Sequence, residues 1–100
     1  MSAYVVFLIR GSHDHEALTR YRKAAHPTIT AHGGRVRVAR GAQTLLEGTA
    51  PAETVIVEFD SSDKALAWYR SHEYQEANQL RKLAADVDAY VVEGVAPPPA

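Results

Sequence analysis

The chain contains no cysteine, so disulfides, thiolate metal sites and cysteine nucleophiles are all excluded. Long hydrophobic runs are missing too. The apolar segment Ala3 to Ile9 spans seven residues, has no basic stretch before it and stops at Arg10. That is too short for a signal-peptide core with its flanks or for a membrane span, and a cytoplasmic location is expected. No block of like charge appears in a balance of 11 basic and 12 acidic residues, so neither nucleic acid nor an anionic membrane is an expected partner. A G-x-S-x-G motif and a phosphate-binding glycine loop are also lacking. Ser12, Ser61, Ser62 and Ser71 fall at turns and helix starts, which removes most of the weight from hydrolase and nucleotide-binding functions.

What is present describes one small domain. With 46% hydrophobic and 23% charged residues over 100 positions, the composition is that of an ordinary globular protein. A single domain is expected over residues 1–95, followed by a disordered Pro-rich tail at 96–100. A domain of this size buries about 65% of the surface its unfolded chain exposes, so the core is small and a partner would help to complete it.

Tyr4 to Ile9 is rich in β-branched and aromatic residues on both alternating sets of positions, the pattern of a strand covered on both faces. Gly11-Ser12-His13-Asp14 reads as a turn ending in an N-cap, with Glu16 suited to the helix dipole. Ala17, Leu18, Tyr21, Ala24, Ala25, Thr28 and Ile29 recur every three or four residues and predict one apolar helical stripe. Pro27 lacks a backbone donor and disfavours helical geometry at His26, which predicts a kink or a break and restart there. Gly33-Gly34 closes the helix. From Arg35 to Arg40 the chain alternates, with Val36 and Val38 expected on one face and Arg35 and Arg37 on the other, as at a sheet edge. Gly41-Ala42-Gln43 predicts a tight turn, Thr44 to Glu47 a short return strand, and Gly48 to Glu53 a loop. Val55 to Phe59 is the third main strand. Ser61 or Ser62 caps one helix, Ser71 caps another over about Glu73 to Ala85, and Val87 to Val95 is the last strand.

Strand, helix, strand, strand, helix, strand is the ferredoxin-like βαββαβ order. It gives an α+β fold with an antiparallel four-stranded sheet, helices on one face and here a small hairpin extension. The first and third strands are apolar on both faces, so the face without helices needs a cover. A second copy is the simplest one, which predicts a homodimer packed sheet to sheet.

Several strings carry a family resemblance. They are H-P-T-I-T-A-H-G-G-R-V from His26, L-E-G at Leu46 to Gly48, V-I-V-E-F-D-S-S from Val55, A-W-Y-R-S-H-E-Y-Q from Ala67 to Gln75, Leu80-Arg81, and V-V-E-G near the end. Over about Tyr4 to Gly94 the chain resembles the domain-of-unknown-function 1330 family. The resemblance implies the dimeric α/β-barrel superfamily, a cofactor-free site and no assigned activity.

A pocket is expected between the sheet and its own helices, the site of cofactor-free oxidation, isomerisation or cyclisation in superfamily relatives. Tyr74, Ala77, Arg81 and Ala84 share a helical stripe of partly small residues, which leaves a gap beside Arg81. Arg81 can anchor a carboxylate or enolate of a small anionic metabolite. Glu58, a carboxylate inside an apolar strand, is the candidate general base or acid if burial raises its pKa, and His26 or His32 can share that role. Trp68, Tyr69 and Tyr74 are candidate contacts to the ligand. Each has a structural alternative. Glu58 and Arg81 can form a buried ion pair, Trp68 and Tyr69 can be packing aromatics, and His26 and His32 can satisfy helix-end carbonyls. His13-Asp14-His15-Glu16 resembles a metal cluster, but adjacent residues at a helix start point in different directions, and neither metal nor cofactor is expected. The overall alternative is a non-catalytic small-molecule-binding or dimerisation module.

Overall fold

In the computed structural model, which describes residues 1–96, the apolar N-terminal run becomes β1, Ala3–Ser12. The expected N-cap forms at Asp14, whose carboxylate accepts from the Ala17 amide at 3.0 Å, and opens α1, His15–Ala31. Then follow β2 (Arg35–Ala39), β3 (Glu53–Phe59), α2 (Ser62–Tyr69), α3 (His72–Ala84) and β4 (Ala85–Glu93). The four strands lie in the order β2-β3-β1-β4, with each neighbouring pair antiparallel. This is the α+β, ferredoxin-like arrangement. Ser61 and Ser71 cap α2 and α3 as expected. The last strand starts two residues earlier than expected, because α3 passes directly into β4. Residues 97–100, most of the expected tail, lie outside the described residues.

Val5, Phe7, Ile9, Val57 and Phe59 point to the helices and form the core with Leu18, Ile29, Trp68 and Tyr74. Trp68 is fully buried, donates its indole N–H to Thr28 Oγ1 at 2.9 Å and packs on Phe59 and Tyr74. Gly34 is needed where it stands, since a Cβ there would lie 2.7 Å from the Phe59 ring and 2.8 Å from Ile29. Gly33, at φ +75°, makes the left-handed turn that ends α1.

Three local expectations are corrected. The break and restart expected at Pro27 does not occur: α1 continues through it, because the turn beyond it is buried and tied down. Thr28 bonds back to the Ala25 carbonyl and receives Trp68, and Ile29 sits in the core. The return strand and hairpin extension expected at Thr44 to Glu47 do not form. This segment is a loop held by side chains, with Gln43 bonding the Pro51 carbonyl and Thr54, while Leu45 and Leu46 stay exposed with no sheet to cover. Finally, a β-bulge between Val36 and Val38 breaks the expected alternation of β2. Val36 pairs with Val57 on the helix side, whereas Val38 pairs with Ile56 on the other, and both Arg35 and Arg37 reach Glu58. Bulges redirect side chains in this way by placing two residues opposite one.

Among the described residues no helix or strand covers the face away from the helices. Register places Tyr4, Val6 and Leu8 beside Thr54, Ile56 and Glu58 and beside Asp88, Tyr90 and Val92 there. Tyr90 is 49% and Val92 46% exposed, so this face is an apolar patch open to solvent.

Candidate functional site

Between the helices and the sheet lies a cavity of about 170 Å³. Phe7 and Ile9 of β1, Val55 and Val57 of β3 and Val87 of β4 make its floor, and Leu18, Ala25 and Ile29 of α1 make its roof. These positions recur every two residues on the strands and every three or four on the helix, so the periodicity that builds the core also lines the cavity. Val36 and Ala39 of β2, Arg40 just after it and Trp68 of α2 also line it, and the partly exposed Arg22 and exposed His26 of α1 stand at its boundary with solvent.

The buried charge on this apolar space is Arg81. Together with Tyr74, Ala77, Asn78 and Ala84 it forms the buried stripe of α3, and it is only 7% exposed. Its neighbours are neutral. Nε donates to Asn78 Oδ1 at 2.7 Å, the guanidinium carbon lies 5.7 Å from the centre of the Phe7 ring, and the Tyr74 phenol is close by. Among the described residues no carboxylate pairs with it. Guanidinium remains charged at any ordinary pH. A buried charge without a counter-ion is costly, and here it borders an apolar cavity.

Two phenols extend this polar line. Tyr21, on the cavity wall, and Tyr74, behind it, share a hydrogen bond of 2.9 Å, and the Tyr74 hydroxyl donates to Asn78 Oδ1 at 3.4 Å. Burial pushes both phenols above their ordinary pKa, Tyr74 far above it, against a smaller lowering from Arg81. They are therefore neutral hydrogen-bond donors at any ordinary pH, not bases. Tyr21–Tyr74–Asn78–Arg81 is one connected chain of polar groups at the edge of an apolar space.

The residues singled out in the sequence divide in three ways. Arg81, Trp68 and His26 line the cavity, Tyr74 stands behind Tyr21, and Tyr69 packs on Tyr74 with ring centres 5.5 Å apart without lining it. His32 lies elsewhere. Its Nδ1 is 2.9 Å from the Thr28 carbonyl, at the C-terminal end of α1. Glu58 is on the opposite face of the sheet, so the Glu58–Arg81 ion pair raised as the structural alternative does not form, and Glu58 does not stand beside Arg81. Glu58 instead lies 2.7 Å from Arg37 Nε and 3.7 Å from Arg35 Nε, with its side chain 13% exposed. Its pKa is lowered rather than raised, chiefly by the Arg37 hydrogen bond and next by one from Ser2. Among the described residues no group of His, Asp or Glu is arranged to hold a metal ion. Asn78 and Tyr21 were not singled out beforehand, although spacing placed Asn78 three residues before Arg81 and Tyr21 on the stripe of α1.

Comparison with known proteins adds the family and the fold. The family described as Domain of unknown function (DUF1330) matches residues 2–95. No significant match is found among curated proteins. A protein of unknown function from Rhodopseudomonas palustris superposes with a TM-score of 0.74 at 22% identity, covering 96% of this chain and 84% of that one. A dimeric protein of unknown function with a ferredoxin-like fold, from Bacteroides fragilis, gives 0.62 at 11% identity over 93% and 96%. A Nitrosomonas europaea protein, provisionally named an antibiotic biosynthesis monooxygenase, gives 0.63 at 15% over 96% and 100%. At these identities the likeness is one of fold alone.

Proposed function

We propose that this chain, which belongs to the DUF1330 family, is a homodimer that holds a small anionic metabolite between its sheet and its helices and acts on it without a cofactor. The observation that carries this reading is the Arg81 guanidinium, buried beside a cavity with no carboxylate among the described residues to neutralise it. An anion in the cavity supplies the missing counter-charge, and in a site of low polarity that interaction is strong.

The chemistry follows from the groups within reach. Arg81 and the Tyr21 hydroxyl can stabilise negative charge developing on a substrate oxygen, as in an enolate or a phenolate. His26 at the boundary can take up or return the proton, and Trp68 and Tyr74 shape the wall behind the ligand. Proton transfer, isomerisation or cyclisation needs no more than this, and the name of the Nitrosomonas relative adds oxidation to the reactions to be tried. Glu58 belongs to the other face in this reading. There, Val6, Leu8, Ile56, Tyr90 and Val92 form the patch that a second copy covers, consistent with the dimeric state named for ferredoxin-like relatives. A second reading, a binding module without turnover, is favoured by one observation: among the described residues no carboxylate base lines the cavity beside Arg81.

A thermal-shift screen of small acids and their neutral isosteres, run on the wild type and on Arg81→Met, tests the reading. A ligand at a hundredfold excess over Kd adds about 2.7 kcal/mol of stability, a shift of several degrees. The reading predicts hits among the acids that vanish in Arg81→Met. Stabilisation by acids that persists in the variant would remove Arg81 from the site, and followed turnover of the hits separates enzyme from binding module.

A further inference from the structure

An arginine this deeply buried ordinarily faces a carboxylate, because only an opposite charge offsets the loss of water. Here the residue one helical turn before it is Asn78, which has nearly the shape of aspartate and no charge. Asn78 is itself completely buried, and both ends of its amide are engaged: Oδ1 accepts from Arg81 Nε and Tyr74 Oη, and Nδ2 donates to Gln75 Oε1 at 3.4 Å. The amide thus fixes the guanidinium through Nε alone and leaves its charge unneutralised. Among the described residues no carboxylate takes Nη1 or Nη2, the two nitrogens that make the two-pronged contact with a ligand carboxylate.

We propose that Asn78 reserves Arg81 for a ligand carboxylate and that the cavity takes a monocarboxylate with a compact apolar body about the size of a benzene ring. The inference rests on the reading of the cavity as a ligand site and names the ligand's class. Body size follows from volume: an engineered apolar cavity of about 150 Å³ holds benzene, and this one is about 170 Å³. Body chemistry follows from the walls. Phe7, Leu18, Ile29, Val57 and Val87 offer no hydrogen bond, so a second charge or a sugar hydroxyl set among these walls, away from Arg22, His26 and Arg40, would be buried unpaired. The phenols complete the fit. Tyr74's bond to Asn78 is long, and the Tyr21–Tyr74 bond can run in either direction. When the carboxylate arrives, Tyr74 donates to Tyr21 and Tyr21 turns its own proton to the ligand oxygen. The other charges near the cavity do not compete. Glu53 pairs with Arg22 at 3.6 Å, and Arg40 and His26 carry no negative charge.

Calorimetric titration of wild type and Asn78→Asp with benzoate, and with benzyl alcohol as a neutral analogue of similar size, tests this. Asn78→Asp keeps the shape and adds the counter-ion. Expected is a loss of benzoate affinity of about tenfold or more, unchanged benzyl alcohol binding, and a melting temperature no lower than wild type. Equal benzoate affinity in both proteins would overturn the proposal. So would loss of benzoate and benzyl alcohol together with a lowered melting temperature, which would make Asn78 structural only. If Asn78→Asp does not fold, Asn78→Ser serves: a neutral residue must retain the preference for benzoate over benzyl alcohol, and its disappearance overturns the proposal. Wild type that binds benzyl alcohol but not benzoate refutes the carboxylate while leaving the cavity a ligand site. Binding of neither, with no hit in the thermal-shift screen, ends both readings.

Discussion

On the open face of the sheet, Arg37 lies 2.7 Å from Glu58 and Arg35 2.9 Å from Asp60. On the helix face, Arg81 meets an amide, a phenol and an aromatic ring. Arg35 and Arg37 each have a carboxylate, and the buried Arg81 has none among the described residues. Stability alone would favour the reverse, since water already screens the outer charges and nothing screens the inner one. An arrangement that places the uncompensated charge where it costs most, beside an apolar cavity, reads as a site held ready for an anion. The paired charges outside read as the polar border of an apolar contact surface.

The largest effect that would break this contrast is expected from Arg81→Met. Affinity for the anionic ligand should fall on the order of 100-fold, while the melting temperature stays the same or rises, because a buried uncompensated charge is replaced by an apolar chain. Parallel calorimetry and melting curves check it, and a large fall in melting temperature would mean that Arg81 holds the fold together. Next in size, Ile56→Lys puts a charge in the middle of the open face. Sedimentation should show the dimer reduced to monomer at micromolar concentration, with the ligand cavity still able to bind; an unchanged dimer would place the interface elsewhere.

Two pH effects sharpen the same contrast. Burial raises the pKa of Tyr21 and Tyr74 above the ordinary 10.0. The stability they contribute is therefore fully present below pH 10 and is lost as pH rises from there toward their folded values. Absorbance at 295 nm should show two of the five tyrosines failing to ionise until the chain unfolds. Glu58 shifts the other way, lowered from 4.5 chiefly by Arg37, so its contribution is present above pH 4.5 and is lost as pH falls toward its folded value. Urea melts of Glu58→Gln should consequently be flatter than wild type across that acid range, and this is the smallest of the four effects.

How much of this was legible in the sequence depends on how local the cause is. Asp14, Ser61 and Ser71 mark helix starts through contacts within three residues, and Gly33-Gly34 marks an end, so the order of elements could be read directly. The α3 stripe that carries Arg81 follows from helical spacing. Glu58 could not be placed on a face, because β3 is apolar on both sides and alternation says only which residues share a face. The bulge at Arg37 arises from pairing between strands distant in sequence, and with it the meeting of Arg35, Arg37 and Glu58. Pro27 was overruled by burial of Thr28 and Ile29. Asn78 was invisible for a different reason: its interest lies in being neutral where a carboxylate would be expected, which appears only once Arg81 is known to be buried without one.

The central claim is that Arg81 is held for a ligand anion, and the most direct measurement is a crystal structure of the wild type with benzoate. The account predicts the carboxylate within about 3 Å of the Arg81 terminal nitrogens, the ring among Leu18, Ile29 and Val57, and the Tyr21 hydroxyl turned to a carboxylate oxygen. Benzoate lying outside at Arg22 and Arg40, with Arg81 bound as before to Asn78 and the cavity empty, would contradict it.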